Sequence, residues 1–346
     1  MTEQPLVSII LPIRNEARYI GRCLEGVIAQ DYAVKGAHDK IEVLVVDGMS
    51  TDDTREIVAE FMRLDPRIRL IDNPERIVPT ALNRGLRLAH GEVIIRVDGH
   101  AVIARDYVRR CIETLAQVDA DCVGGPIRTV GQTWMAEGIA VAQSSPFGVG
   151  SAAFRYADRA QYVDTLAFGA HRREIFARAG FFDEELVRNQ DDEFNYRLIK
   201  AGGKIWLDPA IRSEYFSRAS LAGLWKQYLE YGFWKVRVIQ KHGKPASWRH
   251  LVPATFVLAL VVSGALSLAL RSPAWLLAVA APYVLASLLA SAWISSRRGW
   301  RYAPVLPLAF ATMHLGYGLG FVMGTFHFGL LKPMANGWKR AYGREG

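Results

Sequence analysis

The chain has 346 residues, 51% hydrophobic and 22% charged, with 42 Lys and Arg against 34 Asp and Glu and a net charge of +8. That balance excludes a disordered chain, and the length suits about two domains of roughly 150 residues each, with cores that need no covalent staples. Cys23, Cys111 and Cys122 form no Cys-x-x-Cys pair, which excludes a zinc knuckle or a disulfide framework and leaves them as small buried hydrophobes of a reducing compartment.

The N-terminus carries no basic region followed by an apolar stretch, so no cleavable signal is expected and the N-terminal part is expected in the cytosol. Val7 to Ile13, Ile41 to Val46, Arg69 to Ile71 and Glu92 to Val97 are β-rich runs of strand length. Between them lie helix-like stretches at Ile20 to Ala29, Thr51 to Leu64 and Pro79 to His90. Strand and helix alternating at this spacing predict an α/β fold whose doubly wound sheet is mostly parallel.

Beyond residue 216 the character changes. Ser220 to Gln240 repeats Leu221, Leu224, Trp225, Tyr228, Tyr231 and Trp234 at helical spacing, with Lys226, Lys235, Arg237 and Lys241 as cations. Such a helix suits the headgroup layer of a membrane, although an ordinary packing helix has the same pattern. Leu251 to Leu270, Ala274 to Ile294 and Ala303 to Leu331 are uncharged and long enough to span a hydrocarbon core of about 30 Å. The expected division is therefore 1–216 an α/β domain, 217–250 interfacial, 251–331 membrane and 332–346 a basic tail. Cations before the first span and between the second and third place the N-terminal domain on the cytoplasmic side. Lys332, Lys339, Arg340 and Arg344 follow the third segment, so either that glycine-rich segment is re-entrant or broken or the tail breaks the rule; three crossings are expected.

Three strand ends carry chemistry. Asp47-Gly48-Met49-Ser50-Thr51-Asp52-Asp53-Thr54 runs from a strand into a turn where a carboxylate can meet a base or ribose, while Ser50 and Thr51 are natural helix caps. At Asp98-Gly99-His100, a carboxylate and an imidazole two residues apart can both face a divalent ion, although a surface turn reads the same way. Asp191, Asp192 and Glu193 open a helix, where the helix dipole favours them and where their mutual repulsion suits a general base.

In this order, after Leu11-Pro12-Ile13-Arg14-Asn15-Glu16, these motifs resemble the family 2 inverting glycosyltransferases of GT-A fold over roughly residues 6 to 245. Phe147 to Gly150, Val163 to Thr165, Gly180 to Glu184 and Gln227 to Lys235 bring the likeness nearest to membrane-anchored exopolysaccharide glucosyltransferases of the succinoglycan type. The resemblance implies a mixed, mostly parallel Rossmann-like sheet with helices on both faces, followed by transmembrane helices. It implies that Pro12, Asn15 and Glu16 hold the uridine and its ribose, that Asp47 and Asp98 bind the nucleotide, and that Asp98 and His100 hold Mg or Mn. His100 stands where the family has a second Asp. Asp191 falls at the position of the catalytic base, with Asp192 next in line.

Gln227 is followed by Tyr-Leu-Glu-Tyr and not by the Gln-x-x-Arg-Trp of processive synthases, so one sugar is expected per encounter. Trp225, Gln227, Tyr228, Trp234 and Lys235 are the expected acceptor and lipid contacts. The implied reaction moves a sugar, glucose by resemblance, from a UDP-sugar to a polyprenyl-diphosphate-linked saccharide for exopolysaccharide synthesis. The implied setting is a cytoplasmic membrane crossed several times, with other polysaccharide assembly enzymes as possible partners and no nucleic acid polymer. A polyprenyl-phosphate sugar synthase and a non-catalytic nucleotide-binding scaffold are the competing readings. A transporter is disfavoured because the apolar segments hold no Asp, Glu, Lys or Arg.

Overall fold

The computed structural model describes residues 4–32, 40–245 and 247–331. Their chain forms two compact units, one drawn from residues 1–128 and 152–216 and the other from 129–151 and 217–346. The basic tail lies outside the described residues.

The first unit begins β1 (Val7–Ile13), α1 (Ile20–Ile28), β2 (Ile41–Asp47), α2 (Thr54–Leu64), β3 (Ile68–Asp72), α3 (Val78–Leu88) and β4 (Val93–Arg96). The four strands and three helices expected from periodicity are all present, with ends that differ by up to three residues. β5 (Ala101–Ile103), α4 (Tyr107–Gln117), β6 (Cys122–Gly124) and β7 (Ile127–Val130) follow. Then come α5 (Trp134–Gln143) and α6 (Pro146–Val149) of the second unit. The first unit resumes with β8 (Gln161–Tyr162), β9 (Ala170–Arg172), α7 (Glu174–Ala179), α8 (Gln190–Lys200), β10 (Ile205–Leu207) and β11 (Ser213–Phe216).

The main sheet has the order β3-β2-β1-β4-β9-β6-β10-β8. β1 is parallel to β2 and β4, and β2 to β3, whereas β9 runs antiparallel between β4 and β6. The sheet is thus mixed and mostly parallel. β1 is buried at all seven positions, as a central strand covered on both faces must be. On α1, Ile20, Cys23, Leu24 and Val27 make one apolar stripe against that core. The three cysteines are buried and unpaired, and burial pushes their thiols up, out of the reactive range.

His171 on β9 is a core histidine, flanked by the rings of Phe176 and Phe194 at 5.7 and 5.5 Å. Its Nε2 has no hydrogen-bond partner among the described residues, and burial, aided by the Arg96 charge, lowers its pKa to about 4. The folded state therefore refuses a proton that the unfolded chain accepts below about 6.5. Its stabilising effect is complete above that pH and is lost as pH falls towards 4, by on the order of 3 kcal/mol in full. The midpoint of thermal unfolding in detergent should fall between pH 7.5 and pH 5, and His171→Phe should reduce that fall.

The second unit adds α9 (Leu221–His242), α10 (Val252–Ala269), α11 (Ala274–Arg298) and α12 (Leu306–Phe326) to α5 and α6. Three helices are long and apolar enough to cross a membrane: Trp248–Ala269, Ala274–Arg298 and Leu306–Gly329, with mean hydropathies of 2.2, 1.9 and 1.4. The glycines of the third do not interrupt it, and α12 is one continuous helix from Leu306 to Phe326. Its glycines are packing notches: a Cβ at Gly320 would lie 2.0 Å from the Leu229 carbonyl oxygen, and one at Gly232 on α9 would lie 1.9 Å from that of Tyr317. Such backbone-to-backbone contact is what small residues four apart permit. Nearer the start of α12, His314 donates from Nε2 to the Phe147 carbonyl at 3.0 Å, so its Nδ1 accepts from the Tyr283 hydroxyl at 3.0 Å.

Candidate active site

Strand pairing between β1 and β4 stops at Ile10↔Arg96, whereas β1 and β2 stay paired to Ile13↔Asp47. The last residues of β1 therefore border a crevice at the carboxyl ends of the strands, where the chain order reverses across β1 and such sheets bind ligands. Pro12, with no amide to donate, falls in this stretch and is buried. Asn15 follows in the left-handed region at φ 55°. Its amide donates to Ser50 Oγ at 2.8 Å and its Oδ1 accepts from the Thr51 amide at 2.9 Å, which ties the ends of β1 and β2 together.

Asp47 is fully buried, and its carboxylate accepts from the Ser50 amide and hydroxyl at 3.0 and 2.5 Å and from Arg55 Nη1 at 2.6 Å. Ser50 and Thr51 were expected as helix caps, but α2 begins later, at Thr54. Ser50 is spent on Asp47 and Asn15, because orienting a buried carboxylate takes the hydroxyl that a cap would use. Gly99 brings the β4 end against β1: a Cβ there would lie 2.9 Å from Ile13 and 3.1 Å from Glu16 Cγ. Across this approach the Glu16 carboxylate meets His100 Nδ1 at 2.7 Å.

At the centre stands Arg96, the last residue of β4. Its guanidinium grips Asp98 with Nε to Oδ1 at 2.9 Å and Nη2 to Oδ2 at 3.2 Å, and its Nη1 lies 3.3 Å from Asp191 Oδ2. Burial works against the charge, but the Asp98 and Asp191 carboxylates outweigh it and raise the guanidinium pKa above its ordinary value. One permanent cation thus joins the carboxylate after β4 to the carboxylate opening α8.

The acidic run on α8 divides by role. Glu193 is buried and paired with Arg197 at 2.7 and 2.9 Å, and Arg197 also donates to the Phe181 carbonyl at 2.7 Å. Asp191 and Asp192 are partly exposed, and the Asp192 amide donates to Asp191 Oδ1 at 2.9 Å. The expected repulsion among three carboxylates is offset, because guanidinium groups face two of them.

Among the described residues no group of three or more His, Cys, Asp and Glu side chains is placed to hold a metal. A Mg or Mn ion that also binds substrate phosphates needs only one or two protein ligands, and the donors present fit that case. An ionised Glu16 can only accept, so the proton of His100 sits on Nδ1 and leaves the Nε2 lone pair unengaged among the described residues. A carboxylate behind an imidazole in this way orients it and strengthens it as a ligand. Each Asp98 oxygen keeps a lone pair beyond the one Arg96 uses.

In the second unit, Trp225 is exposed and Trp234 partly so, whereas Gln227, Tyr228 and Lys235 are buried. Gln227 Nε2 donates to the Tyr231 hydroxyl at 2.9 Å. The sequence reading missed Arg96 and Arg55. The one signal was a cation two residues before Asp98, in a strand whose other members are apolar.

Residues 8–176, which carry β1, β2, β4 and their loops, match the family model Glycosyl transferase family 2. The chain is 31% identical over 316 residues to the succinoglycan biosynthesis protein ExoA of Rhizobium meliloti (strain 1021), covering 90% of this chain and 93% of that protein. It is 32% identical over 271 residues to a dolichyl N-acetyl-alpha-D-glucosaminyl phosphate 3-beta-D-2,3-diacetamido-2,3-dideoxy-beta-D-glucuronosyltransferase of Methanococcus voltae, covering 75% of this chain and 82% of that one. A mannosyltransferase from Pyrobaculum calidifontis, solved with GDP-Man and Mn2+, shares the GT-A fold at a TM-score of 0.60 and 22% identity, over 94% of this chain and 88% of that one. With the family match lying on the strands that build the crevice, and a relative this similar along nearly its whole length, the chain belongs to glycosyl transferase family 2.

Proposed function

We propose that this glycosyltransferase moves one sugar per encounter, glucose from a UDP-sugar, to a polyprenyl-diphosphate-linked saccharide in exopolysaccharide synthesis, with inversion. The observation that carries the reading is Arg96, a largely but not fully buried cation between Asp98 and Asp191 that gathers a donor-side and an acceptor-side carboxylate into one centre. Likeness to ExoA along 93% of its length supports the exopolysaccharide setting, and the dolichyl phosphate named in the archaeal relative supports a lipid-linked acceptor.

In this reading Pro12, Asn15 and Glu16 hold the uridine and ribose, and Asp47 binds the base. Asp98 and His100 would hold Mg or Mn, which supplies positive charge to the donor diphosphate. Asp191 takes the acceptor hydroxyl proton as that oxygen bonds to the anomeric carbon; the bond from carbon to the UDP oxygen breaks, and UDP leaves with the electron pair. One displacement inverts the anomer. Trp225, Gln227, Tyr228, Trp234 and Lys235 serve the lipid and acceptor, at the inner face of a cytoplasmic membrane that the chain crosses more than once.

The test supplies the detergent-purified protein with UDP- and GDP-sugars, with and without Mn, and measures nucleotide release and label transfer. UDP-glucose should be preferred, release should stop with EDTA, and label should enter the diphosphate-linked saccharide. Transfer only to a bare lipid phosphate would favour the polyprenyl-phosphate synthase and overturn this reading.

A further inference from the structure

α9 and α12 run side by side in the same direction. Cβ atoms at Gly316, Gly320 and Gly324 would lie 3.3, 2.0 and 2.5 Å from the carbonyl oxygens of Trp225, Leu229 and Phe233, so four residues along one helix match four along the other. The pairing continues to the helix ends, where Phe328 lies 5.0 Å from the Phe233 ring and 5.7 Å from the Arg237 guanidinium. From Trp225 to Arg237 this is a shared length of about 18 Å. Over that length α9 carries Lys226, Glu230, Lys235 and Arg237, with Lys241 just beyond. If α12 crossed the bilayer, these charges would travel with it into hydrocarbon, which strongly disfavours ionised groups.

We infer that α12 does not cross. α9 and α12 form a parallel pair in the membrane surface, and the chain crosses the bilayer only as the α10–α11 hairpin. The end of α12 then lies beside Arg237, on the side from which the chain enters α10.

Two independent observations agree. Of the apolar window of α12, 39% is buried inside the protein, against 11% and 17% for the first two candidate spans. About a quarter-turn round from its glycine face, α12 exposes Leu319, Met323 and Phe326, spaced to form one lipid-facing stripe of the kind that dips into the acyl layer from a helix in the surface plane. The cations also fall into order. With two crossings, Arg237, Lys241, Arg249, Arg297, Arg298 and Arg301 share one side with Lys332, Lys339, Arg340 and Arg344, and Arg271 alone lies opposite. This placement is independent of which sugar is transferred.

Single cysteines at Lys226, Ser272 and Gly329 test it in membranes. The three native thiols are buried, and a Cβ at Gly329 meets nothing within 4 Å. A membrane-impermeant maleimide should label Lys226→Cys and Gly329→Cys from one face and Ser272→Cys from the other. Labelling of Gly329→Cys from the face that reaches Ser272→Cys overturns the proposal. A reporter fused after Gly346 gives a second readout: fluorescence of a cytosolic reporter on the Lys226 side supports two crossings, and activity of a secreted phosphatase on the Ser272 side overturns them.

Discussion

Asp191→Asn should leave donor binding nearly unchanged and slow transfer by about 10²–10⁴-fold, the range in which a positioned base contributes. The amide keeps the shape of the carboxylate but cannot take the acceptor proton. Loss of its ion pair with Arg96 should cost little stability, since the pair is 3.3 Å long and Asp191 is 35% exposed. Nucleotide-release kinetics should therefore show a lower kcat at an unchanged donor KM. Asp192→Asn is the control, with an expected effect within a few-fold. The reverse ranking would move the base to Asp192.

The other large effect concerns stability. Gly320→Ala places a methyl 2.0 Å from the Leu229 carbonyl oxygen, where neither partner is a flexible side chain. The helices must separate along their shared length, so the loss should exceed the roughly 1–3 kcal/mol usual for overpacking a core. Gly264 on α10 is the matched control, because a Cβ there meets nothing within 4 Å. Gly264→Ala should be neutral or stabilising by about 0.5–1 kcal/mol, the ordinary difference between these residues within a helix. Thermal unfolding in lipid nanodiscs separates the two. A similar midpoint for both variants would mean that the two backbones are not in contact.

The crevice residues were legible in sequence because each follows an apolar run of strand length. Asp47, Asp98 and the turn at Asn15 announce themselves as polar groups at the ends of β2, β4 and β1, and parallel strands bring their carboxyl ends together. Their partners were not legible. Arg96 reads as one polar residue in a short strand, and its link to Asp191 spans 95 positions with no local pattern to mark it. In the same way, three adjacent carboxylates read as mutual repulsion until Arg96 and Arg197 are seen facing two of them.

Periodicity and composition alone determined the α/β catalytic part, the apolar helices after residue 250 and the order of the polar strand ends, because these follow from short-range burial patterns. Only the tertiary structure decided what the glycines of α12 and the charges of α9 mean. Separately, they read as a breakable apolar span and a helix on the membrane. Packed backbone to backbone, they share one environment, and the cost of placing charge in hydrocarbon keeps both out of the bilayer core.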